Sequence, residues 1–260
     1  MVVLTVAVVL LVGCDPTPTP IVTPPRADTT VVSVYDGDTI VVEGPQGRLE
    51  VRLDGVNAPE SGECYHRQAT AHLVAILDGR SVGLEVTGTD QFGRALAGVH
   101  AGDIDVNLDL VSRGLAIATT PGPGGSETLV EAERDAAGAG LGLWSAESCG
   151  TGPIPRIGID FERSVVDPPG ADDLVLDQET VVLVNQGDTE VDLAGWILRD
   201  ESSRHRYRFA DGTRLAPGKL LTVTSTDAGW IPGGSPVWNN GGDLILVLDE
   251  SGRVVARVRY

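Results

Sequence analysis

Three short runs hold the residues of this 260-residue chain that could do chemistry: Tyr35-Asp36-Gly37-Asp38-Thr39, then Val51-Arg52-Leu53-Asp54-Gly55-Val56-Asn57-Ala58-Pro59-Glu60, then Asp90-Gln91-Phe92-Gly93-Arg94. Asp38 and Glu60 supply carboxylate oxygens; Arg52 and Arg94 supply permanently charged planar forks. Such a set suits hydrolysis of a phosphodiester. An anionic centre becomes more anionic on the way to the transition state, so a metal ion and fixed positive charge carry most of the stabilisation. Taken singly, each residue has an ordinary reading. Asp36-Gly37-Asp38 is a solvated turn, Arg52 an outward residue on an alternating strand, Gly93-Arg94 a hairpin tip, and Glu60 a charge at a helix amino terminus.

The elements around these runs are mostly strands. Residues 31–35, 39–43 and 48–53 alternate or run apolar between turn residues, which predicts a meander of three strands. Ala69, Leu73, Ile76 and Leu77 recur at helical spacing, predicting a helix over 68–77 that stops at Asp78-Gly79. Two more strands are read at 82–86 and 95–100, and helices at 106–113 and 127–137. Five strands with interposed helices fit an OB-fold barrel, whose face and loops commonly contact nucleic acid. Gly150-Thr151-Gly152-Pro153-Ile154-Pro155 is a break. Beyond it come strands at 157–161, 180–185, 195–199, 205–209, 220–224, 244–248 and 254–258, the pattern of an all-β sandwich. Arg204-His205-Arg206-Tyr207-Arg208 alternates, which reads as the exposed polar face of a half-buried sheet; contact with phosphate backbones is the other reading.

In motif order the segment from about 29 to 149 resembles the thermonuclease family, the staphylococcal-nuclease-like domains. The runs Val182-Leu183-Val184-Asn185, Asp192-Leu193-Ala194-Gly195-Trp196, Leu215-Ala216-Pro217-Gly218 and Trp238-Asn239-Asn240-Gly241-Gly242-Asp243 resemble a lamin-tail domain, an immunoglobulin-like β-sandwich, over 155–260. The first resemblance implies an OB-fold five-stranded barrel and a calcium-dependent endonuclease acting on DNA and RNA with little sequence preference. Asp38 would bind Ca2+ directly, the Thr39 main chain would contribute, and Asp36 would help through water, oxygen ligands that suit a hard cation. Glu60 would position or deprotonate the attacking water, and Arg52 and Arg94 would grip the scissile phosphate. Asn57 stands where well-known members carry a second metal-binding aspartate, implying a functional but weaker calcium site. Phe92 would stack on a base or sugar, or equally serve the core. Residues 119–125 lack the tyrosines some members carry there, so the grip on substrate would be looser. His66, beside Cys64 and Tyr65, reads as a surface histidine at a helix start. The lamin-tail region implies an accessory binding or spacing module.

Residues 1–13 are almost wholly apolar and end in Leu11-Val12-Gly13-Cys14. The run is too short to cross about 30 Å of hydrocarbon as a helix. It reads as an export signal whose ending resembles a bacterial lipobox, with Cys14 lipidated, although no Lys or Arg precedes it. Asp15-Pro16-Thr17-Pro18-Thr19-Pro20 and Thr23-Pro24-Pro25 then read as an extended spacer. The expected organisation is a signal over 1–14, a linker over 15–28, a barrel domain over 29–150, a linker over 151–156 and a sandwich over 157–260. The expected location is extracytoplasmic, lipid-anchored to the cell membrane or secreted. With Cys14 taken by lipid, Cys64 and Cys149 form an even pair in an oxidising compartment. A disulfide is the favoured reading, worth about 4 kcal/mol in the chain-entropy model; two buried thiols or a metal site are the others, and no Cys or His spacing nearby supports metal. The net charge of -18 excludes general electrostatic capture of nucleic acid, so any positive charge used must be local. All of the basic residues but Lys219 are arginine. A non-catalytic, surface-anchored nucleic-acid- or envelope-binding lipoprotein is the competing class, and retention of Asp38, Arg52, Glu60 and Arg94 speaks for the enzyme. No obligate protein partner is evident.

Overall fold

The computed structural model of the chain describes residues 29–120, 126–150, 152–202 and 204–260. The readings on Cys14, the 15–28 linker and the stretch 121–125 fall outside the described residues.

Antiparallel pairing of β1 (Thr29–Val34) with β2 (Thr39–Gly44), and of β2 with β3 (Gly47–Leu53), gives the meander the sequence predicts. Two short segments follow, β4 (Val56–Asn57) and helix α1 (His66–Leu77). The helix buries Ala69, Leu73 and Leu77, and it begins two residues before the predicted start because Tyr65 turns the chain in a left-handed conformation, φ 69°. Then come β5 (Ser81–Thr89), β6 (Ala95–Ala101), β7 (Ile104–Asp105), α2 (Val106–Ser112), β8 (Ile117–Ala118) and α3 (Glu127–Gly138). The sheet order is β3-β2-β1-β5-β6-β7, and parallel pairing of β3 with β6 closes five of these strands into the barrel. In β6 the alternate residues Ala95, Ala97, Val99 and Ala101 point inward, the period-two pattern of a half-buried strand. Gly37 is fixed by close approach: a Cβ there would lie 2.6 Å from Ala58 Cβ and 2.8 Å from Ala69 Cβ.

The remaining residues form the sandwich. β9 (Ile157–Ile159) and β10 (Thr180–Asn185) are followed by β11 (Val191–Asp192), β12 (Ile197–Arg199), β13 (Arg206–Arg208) and β14 (Arg214–Leu215). β15 (Leu220–Thr224), β16 (Trp230–Ile231), β17 (Leu244–Leu248) and β18 (Val254–Arg259) complete it. One sheet runs β15-β10-β9 and the other β16-β13-β12-β17-β18. Val181, Leu183 and Val223 of the first pack with Leu198, Trp230, Ile245 and Val247 of the second. The predicted strand over 157–161 stops at Ile159 because Asp160 caps a turn of 3-10 helix, its carboxylate accepting from Arg163 N–H.

Barrel and sandwich pack directly on each other. Cys64 and Cys149 form the expected disulfide, and the Cys64 N–H donates to Gly252 O at 3.3 Å. All five residues of β17 are buried; Ile245 and Val247 face the sandwich core, while Leu244 and Leu246 pack with Ile117, Leu143, Tyr65 and Trp144 of the barrel side. Three glutamates tie the two halves. Glu63 receives Arg199 Nε at 3.2 Å and Arg206 Nη1 at 2.7 Å. Glu133 receives Arg257 Nη1 at 2.8 Å and Arg259 Nη2 at 3.0 Å. Glu201 receives Thr120 Oγ1 at 2.6 Å, the Thr120 N–H at 2.9 Å and Arg259 Nη1 at 3.1 Å.

Candidate active site

The local fold explains why the three sequence runs converge. Asp36 Oδ1 accepts from the N–H groups of Asp38 at 3.0 Å and Thr39 at 2.8 Å, an Asx turn that fixes the β1–β2 bend. The β2–β3 register sets Thr39 opposite Arg52. Parallel closure sets Arg52 beside Leu96, which brings Arg94, just ahead of β6, to the same end of the barrel. Pro59-Glu60 follows β4 at that rim. Asp36, Asp38, Thr39, Arg52, Glu60, Phe92 and Arg94 all line a single cleft of about 1260 Å³.

Within it, Asp38 is 5 % exposed. Its Oδ2 accepts from the Ala58 N–H at 2.6 Å and pairs with Arg52 Nη1; its Oδ1 accepts from Thr39 Oγ1 at 3.2 Å. Burial pushes the Asp38 carboxyl up to about 6, with Arg52 opposing and the neighbouring Asp36 charge adding to the rise. Arg52 also donates through Nη2 to Asn57 Oδ1 at 2.6 Å. Arg94 is held by Asp90, Nε to Oδ2 at 2.8 Å, and its Nη1 reaches Thr39 Oγ1 at 3.4 Å. The carboxylate of Glu60 is exposed and takes no hydrogen bond or ion pair among the described residues. Phe92 is 75 % exposed, which rules out a core role, and Arg94 Cζ lies 5.5 Å from its ring centroid. Tyr35, which sequence reasoning passed over, is 79 % exposed and lines an adjoining recess together with Phe92 and Arg94.

Asn57 stands apart from the other expected site residues. It is buried behind Arg52 rather than lining the cleft, and its Nδ2 donates to the Glu201 carbonyl of the sandwich at 2.7 Å. An aspartate has no proton to give there. The amide at this position is therefore tied to docking of the second domain. The oxygens of Asp38, Thr39, Asp36 and Asn57 fit a hard divalent cation in type. The Asp38 carboxylate, whose burial outweighs the pairing with Arg52, is where a cation would be stabilised. Among the described residues no group of three or more His, Cys, Asp or Glu side chains forms a cage, so the set is sparse in charge.

Residues 50–146 match the family model for staphylococcal nuclease homologues, and 156–260 match the model for the Lamin Tail Domain. A micrococcal nuclease of Shigella flexneri is 32 % identical over 125 residues, covering 44 % of this chain and 72 % of that protein. The chain belongs to the staphylococcal nuclease homologues. An uncharacterized endonuclease of Haemophilus influenzae is 29 % identical over 117 residues, 44 % of this chain and 65 % of that protein. Another from Escherichia coli O157:H7 is 36 % identical over 87 residues, 33 % of this chain and 57 % of that protein. The chain thus spans 65 % and 57 % of the length of these two endonucleases. None of these matches reaches far beyond the barrel's share of the chain, and the cleft's second wall, Asp200, Ser202, Arg204, His205, Arg206 and residues 236–240, comes from the lamin-tail region. Sequence reasoning missed that wall. The all-apolar β17 was the one signal pointing to it, since a strand buried on both faces needs a partner on each.

Proposed function

We propose that the chain is a calcium-dependent nuclease hydrolysing phosphodiester bonds of DNA and RNA with little sequence preference. It would act outside the cytoplasm, lipid-anchored through Cys14 or secreted, with the lamin-tail region as an accessory binding module. What carries the reading is the convergence of Asp38, Arg52, Glu60 and Arg94 on one cleft. Asp38, the Thr39 main chain, Asn57 and, through water, Asp36 would hold Ca2+. Bound there, the ion would supply a Lewis acid that offsets charge on a phosphoryl oxygen. Arg52 and Arg94 bind and orient the phosphate, and their fixed charge counters the growth of negative charge in the transition state. Glu60, whose carboxylate has no partner among the described residues, takes the proton of the attacking water. Weak sequence preference follows from the residue types: guanidinium groups read phosphate and an exposed ring reads any base face. The disulfide supports an oxidising compartment.

The test is cleavage of denatured DNA and of RNA with calcium or with chelator, for wild type and Glu60→Gln. Calcium-dependent cleavage is expected, reduced about a hundredfold or more by the substitution. Binding without cleavage under every divalent metal would instead establish the non-catalytic binding lipoprotein.

A further inference from the structure

The cleft that holds Arg52 and Arg94 is also lined by Asp200, Ser202, Arg204, His205 and Arg206, from the turn leading from β12 into β13. This turn is held in shape by its own charges. Asp200, 2 % exposed, accepts on Oδ2 from Ser202 Oγ at 2.8 Å and from the His205 ring Nδ1 at 2.9 Å. The Arg204 N–H returns to Ser202 Oγ at 3.1 Å. Glu201 is engaged by Thr120 and Arg259, and its N–H donates to Asp243 Oδ1 at 3.1 Å. Arg206 reaches across the interface to Glu63 at 2.7 Å.

Arg204 differs from these neighbours. It is exposed, it lines the cleft, and its guanidinium has no acidic partner among the described residues. The three other arginines that line the cleft each meet a carboxylate, Arg52 on Asp38, Arg94 on Asp90 and Arg206 on Glu63. An arginine left open on the wall of a phosphate-binding cleft is a ready fork for an anionic oxygen pair.

We propose that Arg204 of the lamin-tail region binds a phosphate of the nucleic-acid strand next to the scissile one, so that the substrate site is shared by both domains. The assignment rests on the nuclease reading and adds a substrate contact from outside the barrel. Because Arg204 is a binding group and not part of the reacting set, its loss acts on substrate affinity more than on turnover.

The experiment uses the full chain with calcium and a single-stranded DNA oligonucleotide, measuring kcat, KM and the salt dependence of binding. Wild type is compared with Arg204→Ala, Arg204→Glu and, as a charge control in the same domain that does not line the cleft, Arg214→Ala. Arg204→Ala is expected to raise KM about five- to tenfold with kcat nearly unchanged, the effect of one charge-assisted contact. Its slope of log affinity against log salt should be shallower by about 0.7, one single-strand phosphate contact. Charge reversal should do more, and Arg214→Ala should leave KM and slope at wild type. A wild type that cleaves normally, with both Arg204 variants matching Arg214→Ala in KM and slope, overturns this assignment alone. A wild type that neither cleaves nor binds the oligonucleotide sinks the nuclease reading and this assignment with it.

Discussion

Glu60 and Glu63 lie three residues apart and are used in opposite ways. Glu60 stands exposed on the cleft with a carboxylate that no described residue engages; Glu63, its side chain 5 % exposed, is clamped between Arg199 and Arg206 of the sandwich. The contrast holds for the two walls in general. The barrel wall keeps its charges at the cleft, where Asp38, Arg52 and Arg94 make only short local pairs. In the sandwich wall Arg206 docks on Glu63, Asp200 and His205 pair with each other, and Arg204 has no acidic partner among the described residues. A buried ion pair is weak evidence of net stability, but removing one partner is costly because the other is left uncompensated. Charge in the barrel wall is thus available for chemistry, and charge at the interface for fixing where the second wall stands.

The same substitution at both positions separates the two uses. Glu60→Gln should abolish most cleavage and leave the melting temperature unchanged. Glu63→Gln removes the charge shared by two guanidinium groups and should destabilise the fold by about 3–5 kcal/mol, read by denaturant unfolding. The pH dependence adds a sign. Burial raises the Glu63 carboxyl, but Arg199 and Arg206 outweigh burial and hold it below its ordinary 4.5. A depressed folded pKa contributes stability that is fully present above the unfolded value and is lost as pH falls through the folded one. The stability gap between wild type and Glu63→Gln should therefore be constant from neutral pH down to about 5 and shrink as pH falls further below 4.5. A gap that widens on acidification would contradict the clamp.

What was legible in the sequence follows the same division. The site residues sit on strands and turns that pattern and turn chemistry made legible, while the grouping of Asp38, Arg52, Glu60 and Arg94 came from the resemblance in motif order. Cysteine parity likewise anticipated the Cys64–Cys149 bond. Docking was not legible, because Glu133 meets Arg257 and Arg259 across more than a hundred residues of chain, and charged residues far apart carry no pattern. The alternating Arg204–Arg208 run illustrates the loss. It reads as an exposed polar face, yet Arg206 is an interface residue while Arg208 is exposed and its guanidinium donates to the Gly195 carbonyl at 3.0 Å. Gly252 is another interface residue without a local signal. A Cβ there would lie 2.6 Å from Cys64 N and 2.7 Å from Glu63 Cα, so only glycine lets the domains approach.

Asn57 lies where the two walls meet, and Asn57→Asp probes both together. A carboxylate adds charge beside the proposed calcium oxygens, so calcium affinity measured by titrating activity should rise. The same change removes the Nδ2 donor and sets an anion against the Glu201 carbonyl, which should cost about 1–3 kcal/mol in calcium-free stability. Tighter calcium binding together with weaker folding is the expected pair of results. Wild type binding calcium more tightly than the variant would remove Asn57 from the ligand set.

Phe92→Ala should give the smallest effect, confined to the barrel wall. The ring is exposed and packs against little besides the Arg94 guanidinium, so unfolding should be unchanged within about 0.5 kcal/mol, as for an ordinary surface substitution. Base stacking on an aromatic ring is worth about 1–3 kcal/mol, and the lower end applies to a ring open to water. KM for oligonucleotides should therefore rise about fivefold, with Phe92→Tyr close to wild type because the π face is kept. Tyr35, in the adjoining recess, supplies the internal comparison. If Phe92→Ala leaves KM unmoved while Tyr35→Ala raises it, the stacking surface lies on the β1–β2 turn, and the grip on substrate shifts to that side of Arg94.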